Sequence, residues 1–146
     1  MNFKNSKQLI INNLKKEKSC LEDLIVKIGE QKKAIEDKDE DRVLKIIKEK
    51  NVHIEIFQII EEEVAIQIKL LSQNDFQSLE KEGKSLKQSL EKLLETIVSM
   101  EDECEKDIGL KMQEIEKRII GLQEGKKIGK GYGMALKSRP LISRKA

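Results

Sequence analysis

The chain contains a single histidine, His53, the side-chain type best suited to proton transfer near neutral pH. No serine or cysteine stands at a recognisable spacing from it, as a nucleophile activated by histidine would require. Its neighbours are apolar and recur at helical spacing, so we interpret His53 as a solvated or seam-edge residue of a helix. The remaining candidates for chemistry are an acidic run, a group of glycines and two cysteines.

The acidic run begins like a calcium-binding loop. Asp37, Asp39 and Asp41 supply carboxylates at alternate positions, as the first ligands of such a loop do. The sixth position of the loop should then be glycine and the twelfth glutamate, whereas this sequence has Arg42 and Lys48 there. The pattern therefore does not fit a calcium loop, and no metal site is expected.

The glycines and cysteines give no catalytic pattern either. Gly129, Gly131 and Gly133 lack the preceding strand and the following helix that a phosphate-binding loop needs. Cys20 and Cys104 are far apart and show neither CxxC nor zinc spacing, so we expect buried thiols on helices. We therefore predict that the protein is not an enzyme and that it binds no cofactor.

The composition indicates long amphipathic helices. The 146 residues are 38% hydrophobic, 38% charged and only 3% aromatic, an unusually charged mixture for a thick globular core. No apolar run approaches the roughly 18 residues of a membrane-spanning helix, so no stable membrane insertion is expected. The start of the sequence carries charge without a following apolar core, so no signal peptide is expected and we predict a cytoplasmic location.

A first helix is predicted from Ser6 to Glu36, because the apolar residues there recur at helical spacing and share one face of the helix. That face consists of Ile10, Leu14, Leu21, Leu24, Ile28 and Ile35. The segment Asp37–Asp41 contains no apolar residue, and Asp37 with Glu40 fits a capping box for a second helix. So short a polar turn predicts an antiparallel helical hairpin.

The second helix should run to about Leu71. Its seam comprises Val43, Ile47, Ile54, Phe57, Val64, Ile68 and Leu71, with Lys50 and Glu61 as polar interruptions. Further apolar residues widen the stripe beyond the needs of a two-stranded coiled coil: Leu44, Ile46, Ile56, Ile59, Ile60 and Ile66. This width predicts a third helix packed on the hairpin, or a homodimer.

A third helix is predicted from about Phe76 to about Gln123. It follows a break at Ser72–Asp75, and Asn74 or Asp75 is expected to cap its N-terminus. At about 70 Å it would overshoot the hairpin. The fold class is thus all-α, an antiparallel hairpin plus a long third helix in a coiled-coil-like, elongated bundle. Residues 1–124 form the helical domain. Residues 125–146 form a flexible tail with a charge of +7 and no acid.

Several positions of the hairpin resemble the FlgN-type flagellar export chaperones. The matching positions are Leu14, Glu17, Lys18, Leu21, Glu22, Leu24, Ile25, Lys33, Ala34, Ile35, Asp39, Val43, Leu44, Ile47, Lys50 and Asn51. The pattern covers about residues 6–70, and the Tyr132–Gly133 pair with the basic ending Ser143–Ala146 adds a weaker similarity. The resemblance implies a small helical chaperone. It would hold hook–filament junction proteins in the cytoplasm and deliver them to the type III export gate.

The resemblance also implies a division of labour along the chain. The hairpin would be scaffold, and the C-terminal half of the third helix would bind the client. The implied contact residues are Ile108, Met112, Ile115, Ile119 and Leu122. Tyr132 in the tail would dock on the export gate. An overshooting helix with an unpaired apolar face independently favours a helix-binding partner.

Two other function classes remain open from the residues. One is a structural coiled-coil adaptor, dimeric or not, without a chaperone role. The other is nucleic-acid binding through the tail, where basic residues and Tyr132 would meet phosphates and a base. Because the rest of the chain is acidic, with a net charge of −5, the tail favours an acidic protein surface over nucleic acid.

Overall fold

The structure is a computed structural model that describes residues 3–112 and 118–119. Within these residues it contains four α-helices and no strand. Helix α1 is Phe3–Glu36, α2 is Glu40–Lys69, α3 is Gln73–Glu82 and α4 is Lys84–Lys111. The all-α prediction is confirmed for this part of the chain. The predicted tail, residues 125–146, lies outside the described residues.

Helices α1 and α2 pack against each other in opposite directions. Near the start of α1, Asn13 Nδ2 donates a hydrogen bond to Gln67 Oε1 at 3.1 Å, late in α2. Further along α1, Lys27 Nζ lies 3.4 Å from Glu49 Oε2, early in α2. As the residue number in α1 rises, the residue number of its contact in α2 falls, so the two helices are antiparallel.

The turn between α1 and α2 depends on a left-handed residue, Lys38, with a φ of 55°. The amide of Lys38 bonds to Ile35 O at 3.0 Å and the amide of Asp39 to Ala34 O at 2.9 Å, which is a Schellman ending for α1. Asp39 then caps α2, because its carboxylate accepts from the amide of Arg42 at 3.2 Å. The predicted capping box is therefore wrong, since the Schellman turn delays the start of α2.

The third helix is not continuous, contrary to the sequence prediction. It breaks at Gly83, whose amide bonds to Leu79 O at 2.7 Å and where an added Cβ would lie 2.9 Å from that oxygen. Ser72, rather than Asn74 or Asp75, caps α3 by accepting from the amide of Asp75. Helix α4 ends at Lys111, about three turns before the predicted end.

Helix α1 is the central element of the fold, because it packs along both α2 and α4. Helix α4 runs in the same direction as α1. Lys7 near the start of α1 lies 2.8 Å from Glu82 just before α4, and Lys32 near its end lies 3.6 Å from Glu103. None of the helices in residues 3–112 is both long and apolar enough to span a bilayer.

The core consists of the faces that the periodicity predicts for α1 and α2. All six predicted α1 residues are fully buried, and all seven predicted seam residues of α2 are buried. From the second half of the chain the core includes Phe76, Leu79, Leu90, Leu94, Ile97, Cys104, Ile108, Met112 and Ile119. Burial of the large apolar side chains of this core, each contributing about 1.5–3 kcal/mol, holds the three long helices together.

Candidate protein-binding surfaces

The residues predicted to contact a client are in part core residues. Ile108, Met112 and Ile119 belong to the buried cluster, with at most 6% of each residue exposed. The apolar face that we expected to be unpaired is therefore buried within the chain at these three positions. Whether they bind a client stays a prediction. Three further predicted site residues lie outside the described part of the chain: Ile115, Leu122 and Tyr132.

The C-terminal part of α4 reaches the end of the hairpin where α1 turns into α2. Gln31 of α1 contacts Glu101 of α4 at 3.2 Å, and the helices run in parallel, so Ile108 lies near the level of the turn. Arg118 Nη1 lies 3.8 Å from Glu40 Oε2, at the first residue of α2. Arg118 therefore lies beside the end of the hairpin, and Ile119 next to it is buried.

A buried ion pair joins α2 to α4. Lys50 is only 2% exposed, and its Nζ contacts both carboxylate oxygens of Glu101, at 2.7 and 2.8 Å. Gln31 Nε2 of α1 donates to the same carboxylate. The Lys50–Glu101–Gln31 cluster thereby connects all three long helices.

The Lys50–Glu101 ion pair affects how the helices are positioned. A buried ion pair contributes little net stability, but leaving one partner unpaired costs about 3–5 kcal/mol. The pair therefore fixes the register of α4 against the hairpin. Burial raises the pKa of the neighbouring Cys104 thiol, although the nearby Gln31 amide acts in the opposite direction. The thiol thus stays protonated and is a poor nucleophile.

The second cysteine lies between α1 and α2. Cys20 Sγ donates a hydrogen bond to the backbone oxygen of His53 at 3.1 Å. Burial raises the pKa of Cys20 to about 11, and the nearby charges of Asp23 and Glu17 act in the same direction. His53 itself is half-buried, at the edge of the seam. Cys20 and His53 therefore do not form an activated thiol, because the contact uses the histidine's backbone and the thiol holds its proton.

An apolar stripe on α2 is uncovered by the rest of the described chain. It lies opposite the seam, and its apolar members range from 45% exposed at Ile56 to 70% at Leu70. We call it the open stripe: Val52, Ile56, Ile59, Glu63, Ile66 and Leu70, the last of which is the residue directly after α2. These positions follow one another at intervals of four, three, four, three and four residues, which is the seam spacing of a coiled coil.

The sequence interpretation found only part of these surfaces. Ile56, Ile59 and Ile66 were expected to meet a third helix or a second copy, but neither α1 nor α4 covers them. The regular spacing of the open stripe becomes visible only when Val52 and Leu70 are included with these three isoleucines. The sequence did not indicate the Lys50–Glu101–Gln31 cluster, because Lys50 and Glu101 are 51 positions apart and each resembles a surface residue.

Comparison with family profiles, curated proteins and solved structures gives no significant match to this chain. In residues 3–112 and 118–119, no group of three or more histidine, cysteine, aspartate or glutamate side chains is placed to hold a metal ion. The described part of the chain offers two candidate protein-binding surfaces, the end of α4 with Ile119 and the open stripe of α2.

Proposed function

We propose that this protein is a cytoplasmic export chaperone of the FlgN type. In this proposal it binds hook–filament junction proteins through the end of α4 and the segment that follows, and delivers them to the type III export gate. The flagellar client and the gate rest on the sequence resemblance. The supporting observation is that apolar residues at the end of α4 and Ile119 pack on the end of a helical hairpin.

Client binding then proceeds by exchange. Ile108, Met112 and Ile119 leave the hairpin end, and their apolar faces contact an amphipathic client helix. The release exposes apolar surface and costs free energy, which reduces the net affinity for the client. A chaperone that must surrender its cargo at a gate needs such moderate affinity.

The Lys50–Glu101–Gln31 cluster limits how far α4 can detach. Separation of Glu101 from Lys50 would leave a buried ammonium group without its counter-ion, which is far more costly than exposing one aliphatic residue. Release therefore stops after Glu101. The hairpin and the first part of α4 remain the scaffold.

The test is retention of a client from a lysate of the source bacterium by the full-length protein. The variant Ile115→Asp with Ile119→Asp should keep the hairpin folded, as monitored by circular dichroism, and lose the client. Val26→Asp is the matched control, because Val26 is 61% exposed on α1 and away from α4's end. Identification of the retained protein as a hook–filament junction protein supports the proposal.

Two results would overturn it. If the parent retains only nucleic acid or nothing, the protein is not an export chaperone of this type. If the double variant retains the client at unchanged affinity, the client site lies elsewhere on the chain.

Delivery to the gate is assigned to Tyr132, which stands between Gly131 and Gly133 in a basic segment, because an aromatic side chain there can insert into a partner's pocket while the basic charges of the segment guide its approach. Tyr132→Ala should preserve the fold and client binding but reduce client export in a secretion assay. Binding to the gate should weaken as salt rises. Normal export of the client by the Tyr132→Ala variant would show that Tyr132 does not dock on the gate.

The second candidate function is a structural coiled-coil adaptor without a chaperone role. The open stripe favours it, because a solvent-exposed coiled-coil seam is an assembly surface. An adaptor would form an assembly of fixed stoichiometry that depends on the open stripe and persists without any flagellar client.

A further inference from the structure

We propose that the open stripe of α2 is the interface of an antiparallel homodimer. The inference rests on α2 alone and is independent of client binding at the end of α4. Five apolar side chains line the stripe over about 27 Å of helix. All five are at least 45% exposed, on the side of α2 that faces away from α1.

The spacing of the stripe is the same in both directions along α2. Reversal of the order four, three, four, three, four leaves it unchanged, so two copies can pair about a two-fold axis near residue 61. In that pairing Val52 lies opposite Leu70 of the second copy, and Ile56 lies opposite its Ile66. Every apolar member outside the central layer thus meets an apolar partner.

Glu63 determines the direction of pairing. A parallel dimer would place the two Glu63 carboxylates in one layer of the interface, where their like charges repel and lose solvent. The antiparallel dimer places each Glu63 opposite Ile59 of the second copy and separates the two carboxylates. One acidic residue in an apolar stripe therefore disfavours the parallel arrangement.

The flanking residues add charge complementarity. On one side of the stripe, exposed Glu55 lies opposite exposed Lys69 of the second copy, and the two-fold axis repeats the pair. Glu62 on the same side lies opposite its own symmetry mate near the axis, which weakens the centre of the interface. The outer pairs thus favour the antiparallel register, while Glu62 limits its strength.

The area fits a reversible self-association. From their exposed fractions, the five apolar side chains expose on the order of 500 Å² per copy, so a dimer that covered them completely would bury about 1,000 Å², the lower bound for a specific interface. A contiguous patch of this size is also at the upper end of what monomeric proteins leave open. We therefore expect a dimer that dissociates on dilution.

The first experiment measures the mass of the full-length protein by analytical ultracentrifugation over a range of concentrations. The parent should change from monomer to dimer as concentration rises. Ile59→Asp should raise the dimer Kd by about 100-fold or more, because each copy then places a second carboxylate in the interface, opposite Glu63 of the other copy. Glu63→Leu should lower Kd by about tenfold or more, and Val26→Asp should leave it unchanged.

Circular dichroism separates loss of association from loss of fold. Ile59→Asp should melt like the parent when both are diluted to the monomer. A folded Ile59→Asp protein that dimerises as well as the parent would overturn the proposal. So would a parent that stays monomeric at every concentration, as expected if the chain's own C-terminal segment or a client helix occupies the stripe.

The second experiment tests the orientation by cysteine cross-linking, which requires Cα atoms within about 7 Å of each other. In the antiparallel dimer, residue 56 lies opposite residue 66 of the second copy. A mixture of Ile56→Cys and Ile66→Cys proteins should therefore give a mixed disulfide. Ile56→Cys alone should not cross-link to itself. Efficient self-linkage of Ile56→Cys would indicate a parallel dimer and overturn the antiparallel assignment.

Discussion

The two faces of α2 have similar sequences and different environments. The seam carries Ile54, Phe57 and Val64 and is buried against the rest of the bundle, whereas the open stripe carries Ile56, Ile59 and Ile66 and faces solvent. Each face also contains a charged residue, Lys50 on the seam and Glu63 on the stripe. Lys50 has a counter-ion from another helix of the same chain, in Glu101.

This difference shows that apolar periodicity identifies faces of a helix but not their partners. On α2, both faces satisfy the coiled-coil spacing. The seam is buried because α1 and α4 belong to the same chain and reach it. The open stripe has no such neighbour among residues 3–112 and 118–119. A second copy is the partner that we infer for it.

Substitution of one residue on each face gives the largest contrast. Phe57→Asp or Ile54→Asp should unfold the domain, because an unpaired carboxylate in the seam costs several kcal/mol. Ile59→Asp should change the stability of the monomer by no more than about 0.5 kcal/mol. Chemical denaturation at low protein concentration measures both. A Phe57→Asp protein as stable as the parent would show that the seam is wrongly assigned.

The buried charge on the seam gives the next contrast. Lys50→Met should lower the free energy of unfolding by about 3–5 kcal/mol, because Glu101 then loses its ammonium partner. Lys50→Met combined with Glu101→Leu should recover most of that loss. A double-mutant cycle in urea measures the coupling. If the double variant is no more stable than Lys50→Met, the cost comes from packing rather than from the charge.

Much of the fold could be predicted from local pattern. The first break, near Asp37–Asp41, and the second, near Ser72–Asp75, follow from the loss of apolar periodicity. The interruption at Gly83 could not be foreseen, because a single glycine is often tolerated within a helix. The cap of α2 was misplaced because the left-handed conformation of Lys38 leaves no mark in the sequence.

The candidate site was less predictable than the fold. The resemblance assigned the apolar residues at the end of the third helix to a client, but an apolar face does not distinguish a client from the chain's own hairpin. Ile108 and Met112 are buried within the chain itself. Long-range ion pairs such as Lys50–Glu101 depend on how helices pack, which a single sequence does not record.

The turn before α2 allows a smaller test of how that helix is oriented. Lys38→Gly should raise the free energy of unfolding by about 1 kcal/mol, because glycine tolerates the left-handed φ of 55° and lysine is strained there. Lys33→Gly, in the last turn of α1, should lower it by about 1 kcal/mol. Thermal or urea denaturation compares the two. Equal destabilisation by both changes would contradict the turn geometry.

The smallest effect concerns Cys20, at the contact between α1 and α2. Its pKa is raised from 9.0 to about 11 in the folded protein. The thiol of the unfolded chain therefore ionises first, so the contribution of Cys20 to stability is complete below pH 9 and is lost as pH rises to about 11. The stability difference between the parent and Cys20→Ala should shrink over that range. A difference independent of pH would contradict the raised pKa.

The three-residue connection between α1 and α2 also has a consequence for the order of folding. Contacts across the hairpin close through a short loop, whereas Lys50 and Glu101 must meet across 51 positions. Short-range contacts lose less chain entropy and form sooner. During synthesis from the N-terminus, α1 and α2 are complete before α4 is made, so the hairpin is the surface on which α4 assembles. The face of α1 that packs against α4 is then exposed on the nascent chain until α4 is made.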